Sequence, residues 1–228
     1  MKANQFLGLL KFFHNPEFME KLLSGFMHCQ TPEVYRLAAQ EGRGDKFESC
    51  VMSWRKDRGD AAGGIEFTIN DHLIPANDLH SITLQDQDGD SWLSCWFTLR
   101  LPEKEADLER LKQDLTRLKQ EFGKHFVFIP APSTRTFLER LKAASPKPMW
   151  AQEITYEENS VLWSARCKSP AYSYQREFRI GFGQCEVHET EPYTFQVEGG
   201  LKDLMYSNVS LQLNHVQTGE IFFELLDL

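Results

Sequence analysis

Tyr172-Ser173-Tyr174-Gln175-Arg176-Glu177-Phe178-Arg179-Ile180 is the stretch on which the reading of this chain turns. Apolar and polar residues alternate through it, and successive side chains of a β-strand point to opposite faces. A strand over residues 172–182 therefore puts Tyr174, Arg176, Phe178 and Ile180 on one face and Gln175, Glu177 and Arg179 on the other. Gln175 and Glu177 then project side by side. That polar face has two readings. It is the wet side of an antiparallel sheet, with Glu177 paired to Arg179 or to a lysine across the strand, or it carries functional groups into a cleft.

Working outward from this strand, β-type patterns recur over residues 151–156, 193–197, 206–213 and 220–225. Helical patterns come earlier. A strand at 6–13 leads to Asn15, which can cap a helix with Pro16 in its first turn and Phe18, Met19, Leu22 and Leu23 on one face, ended by Gly25. A strand at 26–30 precedes Thr31-Pro32-Glu33, which opens a helix carrying Val34, Tyr35, Leu37 and Ala38 until Gly42-Arg43-Gly44-Asp45 stops it. Gly63-Gly64 introduces the alternation Ile65, Phe67, Ile69, and strands at 80–85 and 91–99 flank Asp86-Gln87-Asp88-Gly89-Asp90 as a hairpin. Residues 103–122 place Leu108, Leu111, Leu115, Leu118 and Phe122 at helical spacing. After a strand at 125–129, Pro130 and Pro132 break the chain and Ser133 or Thr134 can cap a helix to about Ala144. Helices early and strands late point to an α+β fold of two mainly antiparallel sheets with helices packed around them. Ser145-Pro146-Lys147-Pro148 is short enough to be a loop within one α+β domain spanning 1–228.

Composition narrows the functional classes. A hydrophobic fraction of 41% with 17 phenylalanines supplies a core. A net charge of -8 argues against a general polyanion coat, though not against a local basic groove. The five cysteines, Cys29, Cys50, Cys95, Cys167 and Cys185, form no Cys-x-x-Cys pair, and free thiols in a reducing compartment account for them. No apolar run approaches the roughly 20 residues of a spanning helix, and Lys11 interrupts the short apolar N-terminal stretch, so a cytoplasmic protein without a membrane partner is expected. The seven histidines show no zinc spacing. Asp86-x-Asp88-x-Asp90 fails the calcium-loop pattern, because Ser91 and Phe97 stand where glycine and glutamate are needed. No metal site is expected. Gly181-Phe182-Gly183 lacks the rest of a dinucleotide fingerprint. The leucine face of 103–122 is read as packing within its own chain, with a homodimer or another protein partner as the alternative.

Leu10-Lys11-Phe12-Phe13, Leu23-Ser24-Gly25, Arg43-Gly44-Asp45-Lys46-Phe47-Glu48 and the segment from Lys168 to Arg179 together resemble a widespread group of bacterial and phage-borne proteins that end in a Tyr-x-x-Gln-x-Glu-x-Arg strand. The same layout resembles the ADP-ribosyltransferase fold. That resemblance implies NAD as co-substrate, Glu177 as the catalytic glutamate facing the nicotinamide ribose, and Gln175 orienting the acceptor. It implies Lys11 or His14 in the place of a first-strand Arg or His, and Tyr35 stacked on nicotinamide. The acceptor would be a macromolecule, protein or nucleic acid, in a toxin, phage or defence setting. A non-catalytic interaction module of the same fold is the first alternative. A metal-dependent nuclease using Asp45, Glu48 and Glu177 is a weaker one, and it requires those carboxylates to converge.

Overall fold

A computed structural model gives the fold and describes residues 4–39, 42–61, 67–75, 79–85, 89–214, 219 and 221–225. The strands are β1 (Phe6–Phe13), β2 (Phe26–Cys29), β3 (Met52–Arg55), β4 (Phe67–Ile69), β5 (His72–Ile74), β6 (Ser81–Leu84), β7 (Asp90–Arg100), β8 (His125–Pro130), β9 (Met149–Glu153), β10 (Thr155–Tyr156), β11 (Cys167–Lys168), β12 (Glu177–Cys185), β13 (Tyr193–Gln196), β14 (Tyr206–Ser207), β15 (Leu211–Asn214) and β16 (Ile221–Leu225). The helices are α1 (Pro16–Leu23), α2 (Pro32–Leu37), α3 (Glu105–Phe122) and α4 (Ala131–Ala144).

The chain is α+β. Its centre is a six-stranded antiparallel sheet in the order β14-β8-β1-β7-β12-β9, accompanied by five two-stranded sheets among the described residues. One dominant sheet with small two-stranded ones around it thus stands in place of the two sheets expected. Strict alternation on its strands feeds two cores. On one face Leu9, Ile129, Ile180 and Phe182 pack with Met19 and Leu23 of α1 and with Phe137 and Leu141 of α4. On the other, Leu10, Phe97, Phe126 and Phe128 meet Leu111, Leu115 and Leu118 of α3. The leucine stripe of α3 is buried within its own chain, as its spacing predicts, with Leu108 and Phe122 at its margins.

α1 begins as its sequence predicts, with the Asn15 side chain accepting from the Glu17 N–H and Pro16 in the first turn. It buries Met19, Leu22 and Leu23, but Phe18 is 57% exposed. α2 departs further: its buried residues are Pro32, Glu33 and Arg36, because a charge network rather than an apolar face holds it down. α4 starts at Ala131 with Pro130 as its N-cap, earlier than the Ser133 or Thr134 cap expected. The expected 80–85/91–99 hairpin is not a pair: β6 pairs β3, whereas β7 pairs β1 and β12. Its turn residues Asp86, Gln87 and Asp88, like Gly63, Gly64 and Ile65, lie outside the described residues. Residues 206–213 form two strands in different sheets, separated near Asn208, whose φ is 48°.

The largest departure falls on 172–182. Residues Pro170–Gln175 form a 3-10 helix, Arg176 takes a left-handed conformation (φ 38°, ψ 52°), and β12 starts only at Glu177. The Ser169 side chain accepts from the Ala171 N–H, and the carbonyl of Arg176 accepts from Thr98. Gln175 and Glu177 are therefore not neighbours on one strand face. No helix of the described residues is long and apolar enough to cross a membrane.

Candidate functional site

The ladder between β1 and β7 runs from Phe6 to the Leu10–Phe97 pair and stops, although both strands continue. Beyond it β1 stays paired to β8 as far as Phe13, while β7 bonds Gln30 through both backbone groups of Leu93. Backbone groups on one edge of an antiparallel strand recur every second residue. The Cys95 carbonyl, midway between Leu93 and Phe97, thus faces the gap where the two strands part. Lys11 fills that need, its Nζ donating to the Cys95 oxygen at 2.8 Å.

A cleft of about 330 Å³ opens at this split, its walls including Phe12, Phe13, Phe18, Trp96 and Phe122. α3 closes one side. Gly123 (φ 105°) lets the end of α3 pass β1 closely, since a Cβ there would lie 2.2 Å from the Phe13 carbonyl oxygen. His14 sits exposed on this rim, its Nε2–H donating to the Glu121 carbonyl at 3.0 Å. All five residues singled out by resemblance, Lys11, His14, Tyr35, Gln175 and Glu177, line this cleft.

Behind it lies a buried ionic cluster of Asp45, Glu48 and Glu177 with Lys168 and Arg179, none more than 6% exposed. Arg179 reaches both oxygens of Glu177, Nε to Oε1 at 3.0 Å and Nη2 to Oε2 at 3.1 Å, and contacts Glu48 at 2.6 Å. Lys168 Nζ lies 3.5 Å from Asp45, 3.2 Å from Glu48 and 3.4 Å from Glu177. The three carboxylates of the nuclease reading do converge, but on an ammonium of the chain itself, so a divalent cation there would have to displace Lys168. Among the described residues no set of three His, Cys, Asp or Glu is arranged to hold a metal ion. Burial opposes the charge of Glu177, but Arg179 and then Lys168 outweigh it and hold the carboxyl down at about 2. Burial, and after it the neighbouring Glu177, pushes the Cys95 thiol up, which leaves it a poor nucleophile. Burial likewise lowers the Lys11 ammonium.

Gln175 holds a loop rather than sharing a strand face with Glu177. Its Nε2 donates to the Gly42 carbonyl at 2.8 Å and its Oε1 accepts from Lys168 at 3.3 Å. Tyr172 donates to the Gly44 carbonyl at 3.0 Å, and the Asp45 N–H donates to the Tyr35 carbonyl at 3.0 Å. A second buried network braces this loop: Arg36 pairs with Asp90 at 2.6 Å and Glu33 at 2.9 Å, donates to the Glu48 carbonyl at 2.9 Å, and Arg55 also bonds Glu33. Asp90, expected in a hairpin turn, is 2% exposed.

Glu177 and Gln175 stand out in the sequence, whereas Lys168 at the centre of the cluster, Arg43 in the cleft wall and Arg36 carry no signal there. Each looks like an ordinary surface charge in a linear pattern. Only the alternation of β12, which puts Arg179 on the Glu177 face, signalled the ion pair. No family model, no curated protein and no solved structure matches this chain.

Proposed function

We propose that the protein is an NAD-dependent ADP-ribosyltransferase-like protein that takes the nicotinamide end of NAD into the cleft at the β1/β7 split and modifies a macromolecule. The observation that carries this reading is that Lys11, His14, Tyr35, Gln175 and Glu177, chosen from three separate parts of the sequence, line one cleft. Its aromatic walls suit a planar ring. Glu177, held ionised, is unsuited to take a proton at neutral pH but suited to oppose positive charge. As the bond between nicotinamide and ribose breaks, the leaving ring keeps the electron pair and the ribose becomes cationic. A fixed carboxylate stabilises that state more than the ground state. The acceptor then supplies the new bond at the ribose carbon and loses its proton. In this reading Arg179 and Lys168 position Glu177, and Tyr35 stacks on the ring.

A second reading, a module of the same fold that binds without cleaving, is favoured by the engagement of both Glu177 oxygens by Arg179. Incubation with NAD labelled in its adenylate half, with cell extract, separates the two. Label transfer with nicotinamide release is expected, and Glu177→Gln should lower the rate about 10² to 10³-fold. Lys11→Gln, which breaks only the contact to Cys95 among the described hydrogen bonds, serves as a second variant should Glu177→Gln fold poorly. NAD left uncleaved, whether or not it binds, would favour the second reading, and absence of NAD binding would overturn the transferase reading.

A further inference from the structure

The loop carrying Arg43 is pinned on both sides of it. Gly42 and Gly44 each lend a carbonyl to a buried or half-buried side chain, Gln175 at 2.8 Å and Tyr172 at 3.0 Å. Asp45 is tied by its N–H to Tyr35 and by its carboxylate to Lys168. Between these anchors Arg43 lines the cleft, is exposed, and has no hydrogen-bond or ion-pair partner among the described residues. The other arginines beside the cleft are spent differently: Arg179 is bound to Glu48 and Glu177, and Arg117 to Glu121. The Glu121 carboxylate is further engaged by the Tyr174 hydroxyl at 2.7 Å.

Lys11 contributes to the same end of the cleft, with one N–H given to Cys95 and further donors remaining on its ammonium. Lys21 lies there too, its Nζ 5.7 Å from the ring of the cleft residue Phe18. Burial, and then the positive charges of Lys11, Arg43 and Lys21, holds the His28 imidazole below its usual range. Three cationic side chains, Lys11, Arg43 and Lys21, therefore gather around His28 beside this cleft in a protein of net charge -8. A local field of that sign draws an anion and keeps a planar donor fork ready for it.

We infer that Arg43 is the phosphate-recognition residue of this cleft, receiving a phosphate of a nucleoside diphosphate together with Lys11. The inference deepens the NAD reading and rests on it for the nucleotide class of the ligand. A volume of about 330 Å³ lies at the low end for ligand clefts of roughly 300–1,000 Å³, so part of a dinucleotide would remain outside.

Calorimetric titration with ADP, adenosine, inorganic pyrophosphate and NAD tests it on the whole chain. In Arg43→Gln, ADP and pyrophosphate should each bind at least about tenfold more weakly, because a charge-assisted hydrogen bond is lost, while adenosine should be unaffected. Arg43→Lys should recover part of the loss, and Lys46→Gln, on the same loop, should have none. ADP binding that depends on Arg43, with NAD left uncleaved, would uphold this assignment while removing the transferase reading. NAD turnover with ADP and NAD affinities unchanged in Arg43→Gln would overturn the assignment and leave that reading standing. Absence of ADP, pyrophosphate and NAD binding would overturn it as well.

Discussion

Glu177 and Arg179 stand two residues apart on one face of β12, and that spacing was legible as an ion pair; its burial was not. An exposed pair of this kind contributes at most about 1 kcal/mol. Here Arg179 is fully buried and is shared by Glu177 and Glu48, so Arg179→Met should cost about 3–5 kcal/mol in urea denaturation by leaving carboxylates under-compensated. A loss below 1 kcal/mol would mean that the cluster is solvated. The pH dependence follows from the lowered Glu177 carboxyl. A group whose folded pKa lies below its unfolded value stabilises above the unfolded value and loses that contribution as pH falls towards the folded one. For Glu177 the window runs from about 4.5 down to about 2 and is worth on the order of 3 kcal/mol. Asp45, whose carboxyl is pushed up by burial and by Glu48, acts with the opposite sign, so the wild type must be compared with Glu177→Gln. Between pH 5 and pH 3 the variant should lose less stability than the wild type, and equal losses would remove Glu177 from the account.

The elements were readable in proportion to how local their causes are. α1 announces itself through Asn15 and Pro16, and α3 through its leucine spacing, because a cap and an amphipathic stripe need no distant partner. Leu111 is fully buried and Leu115 is 1% exposed, so Leu111→Ala or Leu115→Ala should cost about 2–5 kcal/mol by chemical denaturation. A dissociating oligomer with unchanged melting would instead mark the face as an interface. At the end of α3, Gly123→Ala should destabilise by more than about 1 kcal/mol, since it is strained at φ 105° and places a methyl 2.2 Å from the Phe13 carbonyl oxygen. An unchanged melting temperature would show that β1 and α3 move apart freely there. The 3-10 helix before β12 was missed for the converse reason. The alternation of 172–180 suits a strand, but Tyr172, Tyr174 and Gln175 find better partners in Gly44, Glu121 and Gly42 when the chain coils and then reverses at Arg176.

Across the whole molecule, β9, β12 and β14 come from beyond Ser145-Pro146-Lys147-Pro148 and yet share one sheet with β1, β7 and β8. A chain so interleaved should unfold in one step. Tryptophan fluorescence and far-UV circular dichroism should give coincident transitions, and two separated ones would place a domain boundary in the chain. From the sequence alone came the α+β class, the mainly antiparallel pairing of its strands, the four helices and the option of a Glu177–Arg179 pair, all of which follow from periodicity, capping and neighbour spacing. Tertiary structure alone decided that one six-stranded sheet dominates, that β1 and β7 part after Leu10 and Phe97 to open a cleft, and that Lys168 is encircled by Asp45, Glu48 and Glu177. The physical reason is distance along the chain. A buried charge is stable only when its partners arrive with it, and the partners of Lys168 lie on a loop more than a hundred residues away and on the next long strand, where no local pattern can announce them.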